Sequence, residues 1–176
     1  MSEENTALDQ GQNTLFKNLR YQHPVKEDGQ KLWHLVKESG TLDLNSAYCY
    51  LMLCEYFRNT CMAAWINDRI VGFVSGYLLP EANDTLFVWQ VTVAHEVRGR
   101  GIGKQLIMNL LNSETGKKVR RIQATVSPSN TASNSLFSSV AEELKTSLRI
   151  TEGFGSNIFP GGDHEREDLL TIGPFK

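Results

Sequence analysis

Apolar and polar positions alternate along this chain with two periods, near two and near 3.6 residues, and the order of those periods predicts a fold. Residues 1–17 offer almost nothing to bury and read as a disordered leader, ahead of one folded domain over 18–176. That domain opens with a short strand at Leu19–Gln22. Leu32, Leu35 and Val36 then recur at helical spacing within Val25–Glu38, which Ser39-Gly40 terminates. A second helix, Ala47–Arg58, follows a loop ending in the capping residues Asn45-Ser46. It is apolar almost all round, so it should sit deep or meet another subunit. Cys61–Ile66 and Ile70–Leu79 read as a hairpin about Asn67-Asp68-Arg69, Pro80–Asp84 as a loop, and Leu86–Val93 as a third strand. Next comes a helix with Ile102, Leu106, Ile107, Leu110 and Leu111 on one face, then a strand at Arg121–Val126 and a helix at Asn130–Leu144. Strands near Leu148–Thr151 and Leu169–Ile172 close the chain around the loop Gly153–Glu167. This is an α/β chain of the α+β kind, a mixed sheet with helices packed on it.

Composition narrows the partners. The chain carries 18 basic and 20 acidic residues, for a net charge of −2, and has no basic arm or patch, which argues against nucleic acid. No apolar run is long enough to span a bilayer and the start resembles no signal peptide, so no membrane partner and a cytoplasmic location are expected. Cys49, Cys54 and Cys61 share one apolar stretch at spacings that suit no common zinc pattern; they read as reduced, packed thiols, and no metal is expected.

Chemistry concentrates where the third strand runs into Arg98-Gly-Arg-Gly-Ile-Gly-Lys104 and a helix. Gly99, Gly101 and Gly103 leave the backbone bare where N–H groups at a helix start face outward, a ready site for an anion. Arg98, Arg100 and Lys104 add positive charge beside it, and a pyrophosphate is the fitting guest. A P-loop would need Ser or Thr after Lys104, where Gln105 stands, and the dinucleotide fingerprint is out of register.

Arg98-Gly99-Arg100-Gly101-Ile102-Gly103 resembles the Arg/Gln-x-x-Gly-x-Gly/Ala pyrophosphate loop of the GNAT superfamily of acetyl-coenzyme A-dependent N-acetyltransferases, position by position. The order of elements from about residue 18 onward resembles that family too. The resemblance implies a mostly antiparallel sheet of about seven strands flanked by about four helices, split next to the loop. It implies acetyl-CoA as co-substrate, the Val91 N–H as donor to the thioester carbonyl, and hydrogen bonds from Thr92 and Val93 to the pantetheine arm. Asn130 matches a coenzyme-contacting position, although it could equally be a helix cap. Where many members carry a tyrosine as general acid, this chain has Phe137, which cannot donate a proton.

Longer stretches look like the L-2,4-diaminobutyrate acetyltransferases of ectoine biosynthesis. They are Gly40-Thr-Leu-Asp-Leu-Asn-Ser-Ala-Tyr-Cys-Tyr50, Phe87-Val-Trp-Gln-Val-Thr-Val93, Pro128-Ser-Asn130 and Gly161-Gly-Asp-His-Glu-Arg-Glu167. That likeness implies acetylation of the 4-amino group of a small diamino acid; the amine's chemistry predicts direct attack within a ternary complex, and the apolar helix over Ala47–Phe57 points to a subunit interface and a homodimer. A substrate with two ammonium groups needs carboxylates to receive them, and Asp43 and Glu167 suit that task. Asp43 could instead cap the following helix, and Glu167 could belong to a solvated charged run. Trp89 and Tyr48 would wall the substrate chain, or else pack in the core. His95 and His164 read as exposed loop residues, and the cysteines as core rather than nucleophiles. Two other readings stay open: the same fold acting on another small amine or a protein N-terminus, and a non-catalytic acyl-coenzyme A-binding domain.

Overall fold

The computed structural model describes residues 16–40, 42–161 and 164–176, with the backbone alone for Lys17. The expected leader lies outside the described residues as far as residue 15; Phe16–Asn18 form a single 3-10 turn, and Phe16 packs against the core. Among the described residues the strands are β1 (Leu19–Gln22), β2 (Cys61–Ile66), β3 (Arg69–Leu79), β4 (Ala82–Val93), β5 (Arg121–Val126), β6 (Leu148–Phe154) and β7 (Glu167–Ile172). The helices are α1 (Gly29–Ser39), α2 (Ala47–Glu55), α3 (Ile102–Leu111) and α4 (Thr131–Glu143).

One sheet takes all seven strands in the order β1-β2-β3-β4-β5-β7-β6. Consecutive strands joined by tight turns pair antiparallel. Ile66↔Arg69 closes the first turn, where Asn67 takes φ 53°, a left-handed value that asparagine tolerates well. β5 lies parallel to β4, a pairing that needs a crossover, and α3 supplies it.

Strand alternation assigns the faces. A Cβ at Gly72 on β3 would meet Ile102 and Leu106, so even-numbered positions there face α3. Ser75 and Phe73 face the other way, and so do their partners Gln90 and Thr92. The hydroxyl of Tyr50 on α2 reaches Gln90, which places α2 on the face opposite α3. α4 lies beside α3, joined by the Lys104–Glu143 ion pair.

Element boundaries differ from expectation at several places: α1 begins at Gly29 rather than Val25, after a 3-10 turn at Lys26–Asp28. The loop expected at Pro80–Asp84 shrinks to Pro80-Glu81, because Leu79 already pairs with Ala82. Asp84 holds the strand start in place: its carbonyl accepts from the Arg120 N–H at 2.7 Å and its carboxylate from Arg121 at 3.2 Å. α2 stops at Glu55 rather than Arg58, since a 3-10 turn at Arg58–Thr60 leads into β2 and the Thr60 hydroxyl donates to the Gly76 carbonyl at 2.6 Å. β6 and β7 run two to three residues further into polar sequence than expected, as strands facing solvent can.

The apolar helix is buried on one side only. Tyr50, Leu53 and Cys54 are inside, whereas Tyr48 is 69% and Tyr56 73% exposed. No helix among the described residues is long and apolar enough to cross a membrane.

Candidate active site

The sheet opens along β4. Gly76 pairs with Val88 and Ser75 with Gln90, so Trp89 is an extra residue bulged out of the ladder. β4 and β5 pair only through Thr85↔Arg121, Leu86↔Ile122 and Phe87↔Gln123. Beyond Phe87 they part, while β4 stays paired with β3 as far as Val93.

Hydrogen bonds from an antiparallel strand alternate sides. The Ala94 N–H donates to the Val71 carbonyl at 2.8 Å, and the register runs unbroken from Val93 back to Gln90. The N–H groups of Thr92 and Gln90 therefore also point at β3, and those of Val91 and Val93 point into the gap left by β5. This corrects the expectation for Thr92. Its N–H belongs to the ladder and its side chain is buried against the α2 side, because a strand presents only every second residue to one edge.

β4 leads through a short turn, His95–Val97, into the glycine segment. Gly99 and Gly101 hold φ at 73° and 75°, the left-handed region, and a Cβ on either would meet nothing within 4 Å. Bare backbone thus stands at the mouth of the gap, and α3 starts directly after it, its first N–H groups unused by the helix. The cations are held by protein. Arg98 donates from Nε to the Val93 carbonyl at 3.0 Å and from Nη2 to the Ser39 carbonyl at 3.1 Å, bracing the loop against the end of α1. The Arg100 guanidinium lies over the Phe16 ring at 5.3 Å, and Lys104 pairs with Glu143 at 3.1 Å. Main chain supplies the directed donors and the three cations supply a field around them, an arrangement that fits a diphosphate.

Between the parted strands lies a cleft of about 870 Å³. It is lined by Asp43, Trp89, Val91, Asn130 and Glu167, brought together from four stretches of chain, and by Phe137 and His164. Tyr48 is not brought there; it stands on the outer face of α2. Trp89 is 44% exposed, placed in the cleft by its bulge rather than in the core. Asp43 is not the cap of α2: the Ser46 hydroxyl accepts the Cys49 N–H at 3.3 Å and fills that place. Asn130 does cap α4, its Oδ1 accepting the Ser133 N–H at 3.0 Å, while standing at the cleft wall.

Glu167 begins β7 between two residues that pair with each other, Arg166 and Asp168, at 3.0 Å. Among the described residues neither the Asp43 nor the Glu167 carboxylate takes a side-chain partner, and no lysine or arginine lines the cleft. Two unmatched carboxylates in one cleft suit a cationic guest.

Sequence reasoning missed His164, which it placed as an exposed loop residue. The ring is half-buried in the cleft, stacked on Phe159 with centroids 3.8 Å apart. Its Nδ1 lies 2.6 Å from the Glu165 carbonyl, which can only accept, so Nδ1 is the donor and Nε2 takes no partner among the described residues. The cysteines lie outside the cleft, and burial pushes the Cys54 and Cys61 thiols up to about 12. Burial also raises Cys49. Thiols so held are poor nucleophiles near neutrality.

Residues 29–140, well over half the chain, match the acetyltransferase (GNAT) family. The chain belongs to the GNAT family of acetyltransferases. The split, mostly antiparallel sheet beside a glycine loop is the arrangement of that family. Among GNAT relatives, the L-2,4-diaminobutyric acid acetyltransferase of Marinococcus halophilus is 43% identical over 94% of this chain and 95% of its own. The protein of that name from Shouchella clausii is 40% identical over 100% of this chain and 99% of its own. A solved structure, the diaminobutyrate acetyltransferase EctA from Paenibacillus lautus in complex with its substrate L-2,4-diaminobutyric acid and coenzyme A, superposes with a TM-score of 0.86. It is 46% identical, covering 90% of this chain and 96% of that one. The ribosomal-protein-S18-alanine N-acetyltransferase of Escherichia coli shares 17% identity at a TM-score of 0.63 over 90% of this chain and 95% of that one, a likeness of fold alone.

Proposed function

We propose that this chain transfers the acetyl group of acetyl-coenzyme A to the 4-amino group of L-2,4-diaminobutyrate, giving N4-acetyl-L-2,4-diaminobutyrate in ectoine biosynthesis. The observation that carries the reading is the pair of unmatched carboxylates, Asp43 and Glu167, lining the same cleft as Val91, whose N–H points into the gap. The 46% identity to the diaminobutyrate-bound enzyme of Paenibacillus lautus supports it.

In this reading the diphosphate rests on the backbone of Arg98–Lys104, and Val93 holds the pantetheine arm in the gap. The thioester carbonyl accepts the Val91 N–H, with Asn130 at the neighbouring wall. Asp43 and Glu167 receive the two ammonium groups, and Trp89 packs on the methylenes between them. An alkylammonium with a pKa near ~10.4 is neutral in about one molecule in a few thousand at pH 7, so a proton must leave first. His164 offers Nε2 as its acceptor. The neutral amine then attacks the thioester carbon, and charge growing on the carbonyl oxygen meets the Val91 N–H. The C–S bond breaks and coenzyme A leaves as thiolate. The nitrogen sheds its second proton as the amide forms; Phe137 cannot pass it on, so it reaches the thiolate through water in the open cleft. Transfer is direct, within a ternary complex; the inert thiols support a route without an acetyl-enzyme.

The protein works as a homodimer in the cytoplasm. The outer face of α2 and its following turn, with Tyr48, Leu51, Tyr56 and Phe57 all more than 40% exposed, supports pairing through that face. Tyr48 belongs to this surface rather than to the cleft of its own chain. The decisive assay follows thiol release from acetyl-coenzyme A with diaminobutyrate, ornithine, lysine, putrescine and a peptide. Turnover is expected to favour diaminobutyrate; equal rates would remove the narrow assignment, and cofactor binding without turnover would remove the enzyme. Light scattering on the intact protein should give twice the chain mass, and a monomer would remove the dimer.

A further inference from the structure

β4 carries one large polar side chain where its pattern calls for a hydrophobe. Gln90 lies beside Thr92 on the α2 side of the sheet, across the Trp89 bulge from Val88, and is 5% exposed. A buried amide is costly unless both its ends are satisfied. Here both are. Oε1 accepts from the Tyr50 hydroxyl at 3.4 Å, and Nε2 donates to the Asp43 carbonyl at 3.1 Å. Tyr50 is itself fully buried, so α2 fixes one end of the amide.

The other end holds the exposed turn of a loop whose neighbours, Leu42 on the core and Asn45 against Tyr50, tether it on either side of Asp43. Asp43 sits in the exposed loop between α1 and α2, and the cap of α2 is Ser46, three residues on. Gln90 is also flanked by two cleft residues. Trp89 before it is turned into the cleft by the bulge, and Val91 after it aims its N–H into the gap. A side chain rooted beside the acyl site thus grips the main chain of the residue that meets the amine.

We propose that Gln90 is a positioning residue: its hydrogen bond to the Asp43 carbonyl sets the Asp43 carboxylate relative to the Val91 N–H, and Tyr50 orients the amide that makes it. The inference rests on the reading of Asp43 as an amine-binding residue.

The test is a double-mutant cycle on the intact enzyme. Gln90→Met keeps the length and removes both hydrogen bonds. It should raise the KM for diaminobutyrate about tenfold, the equivalent of one hydrogen bond, and leave the KM for acetyl-coenzyme A within about twofold. If Gln90 works through Asp43, the double variant Asp43→Ala with Gln90→Met should be no worse for the amine than Asp43→Ala alone. Tyr50→Phe, which spares the Asp43 contact, should raise the amine KM by about two- to threefold. It decides the question if Gln90→Met fails to fold. Additive losses, an equal rise in both KM values, or an unchanged amine KM in Gln90→Met or Tyr50→Phe would overturn the role of Gln90 while leaving Asp43 in place. An unchanged amine KM in Asp43→Ala would overturn the reading of Asp43, and the inference with it.

Discussion

In the proposed reading the diphosphate meets main-chain N–H groups from one stretch, Gly99–Lys104, whereas the amine meets side chains delivered by the α1–α2 loop, the bulge of β4 and the start of β7. The first end depends on backbone conformation and the second on charge. The two should therefore fail separately, and in different kinetic parameters.

The largest effect is expected from Gly101→Leu. A side chain at φ 75° is strained by about 1–3 kcal/mol and would stand in the open space before the loop. Calorimetry should show coenzyme A affinity falling by about a hundredfold, with the fold retained. Asp43→Ala and Glu167→Ala come next. Each removes a charged hydrogen bond of about 1.5–3 kcal/mol, so the amine KM should rise by about ten- to a hundredfold. Coenzyme A affinity should hold, and equal weakening of both ligands would erase the distinction between the ends.

A third test lies outside both ends. Burial raises Cys54 and Cys61 from an ordinary 9.0 to about 12, so the unfolded chain loses these protons first. The stability is whole below pH 9 and falls above it, by about 1.4 kcal/mol per pH unit per thiol, until the folded-state values are reached. Denaturant titrations at pH 8 and pH 10 read this; no difference would mean the thiols are not so deeply held. The smallest effect belongs to Gly103→Ala. Its Cβ would lie 3.5 Å from Leu136, an ordinary contact, so coenzyme A affinity should change by less than about threefold.

The same contrast explains what could be read before the fold was seen. The order of strands and helices follows from local periodicity, and so does the glycine loop, whose parts are contiguous. Asp43, Trp89 and Glu167 came from a resemblance; their convergence depends on a bulge and on pairing between distant strands, and periodicity reports neither. Thr92 was misplaced because the edge a given N–H faces depends on which neighbour pairs with it. His164 was passed over because its ring is oriented by the carbonyl of Glu165, a contact with no trace in residue type. The depth of α2 was half legible: its all-round hydrophobicity reflects one face on the sheet and another left open.

A flat sheet has two rims, here β1 and β6, but the parting of β4 from β5 creates a third rim inside the molecule. Two N–H groups along it, those of Val91 and Val93, have no strand to receive them, so an extended arm bearing amides can enter and continue the broken ladder as a strand would.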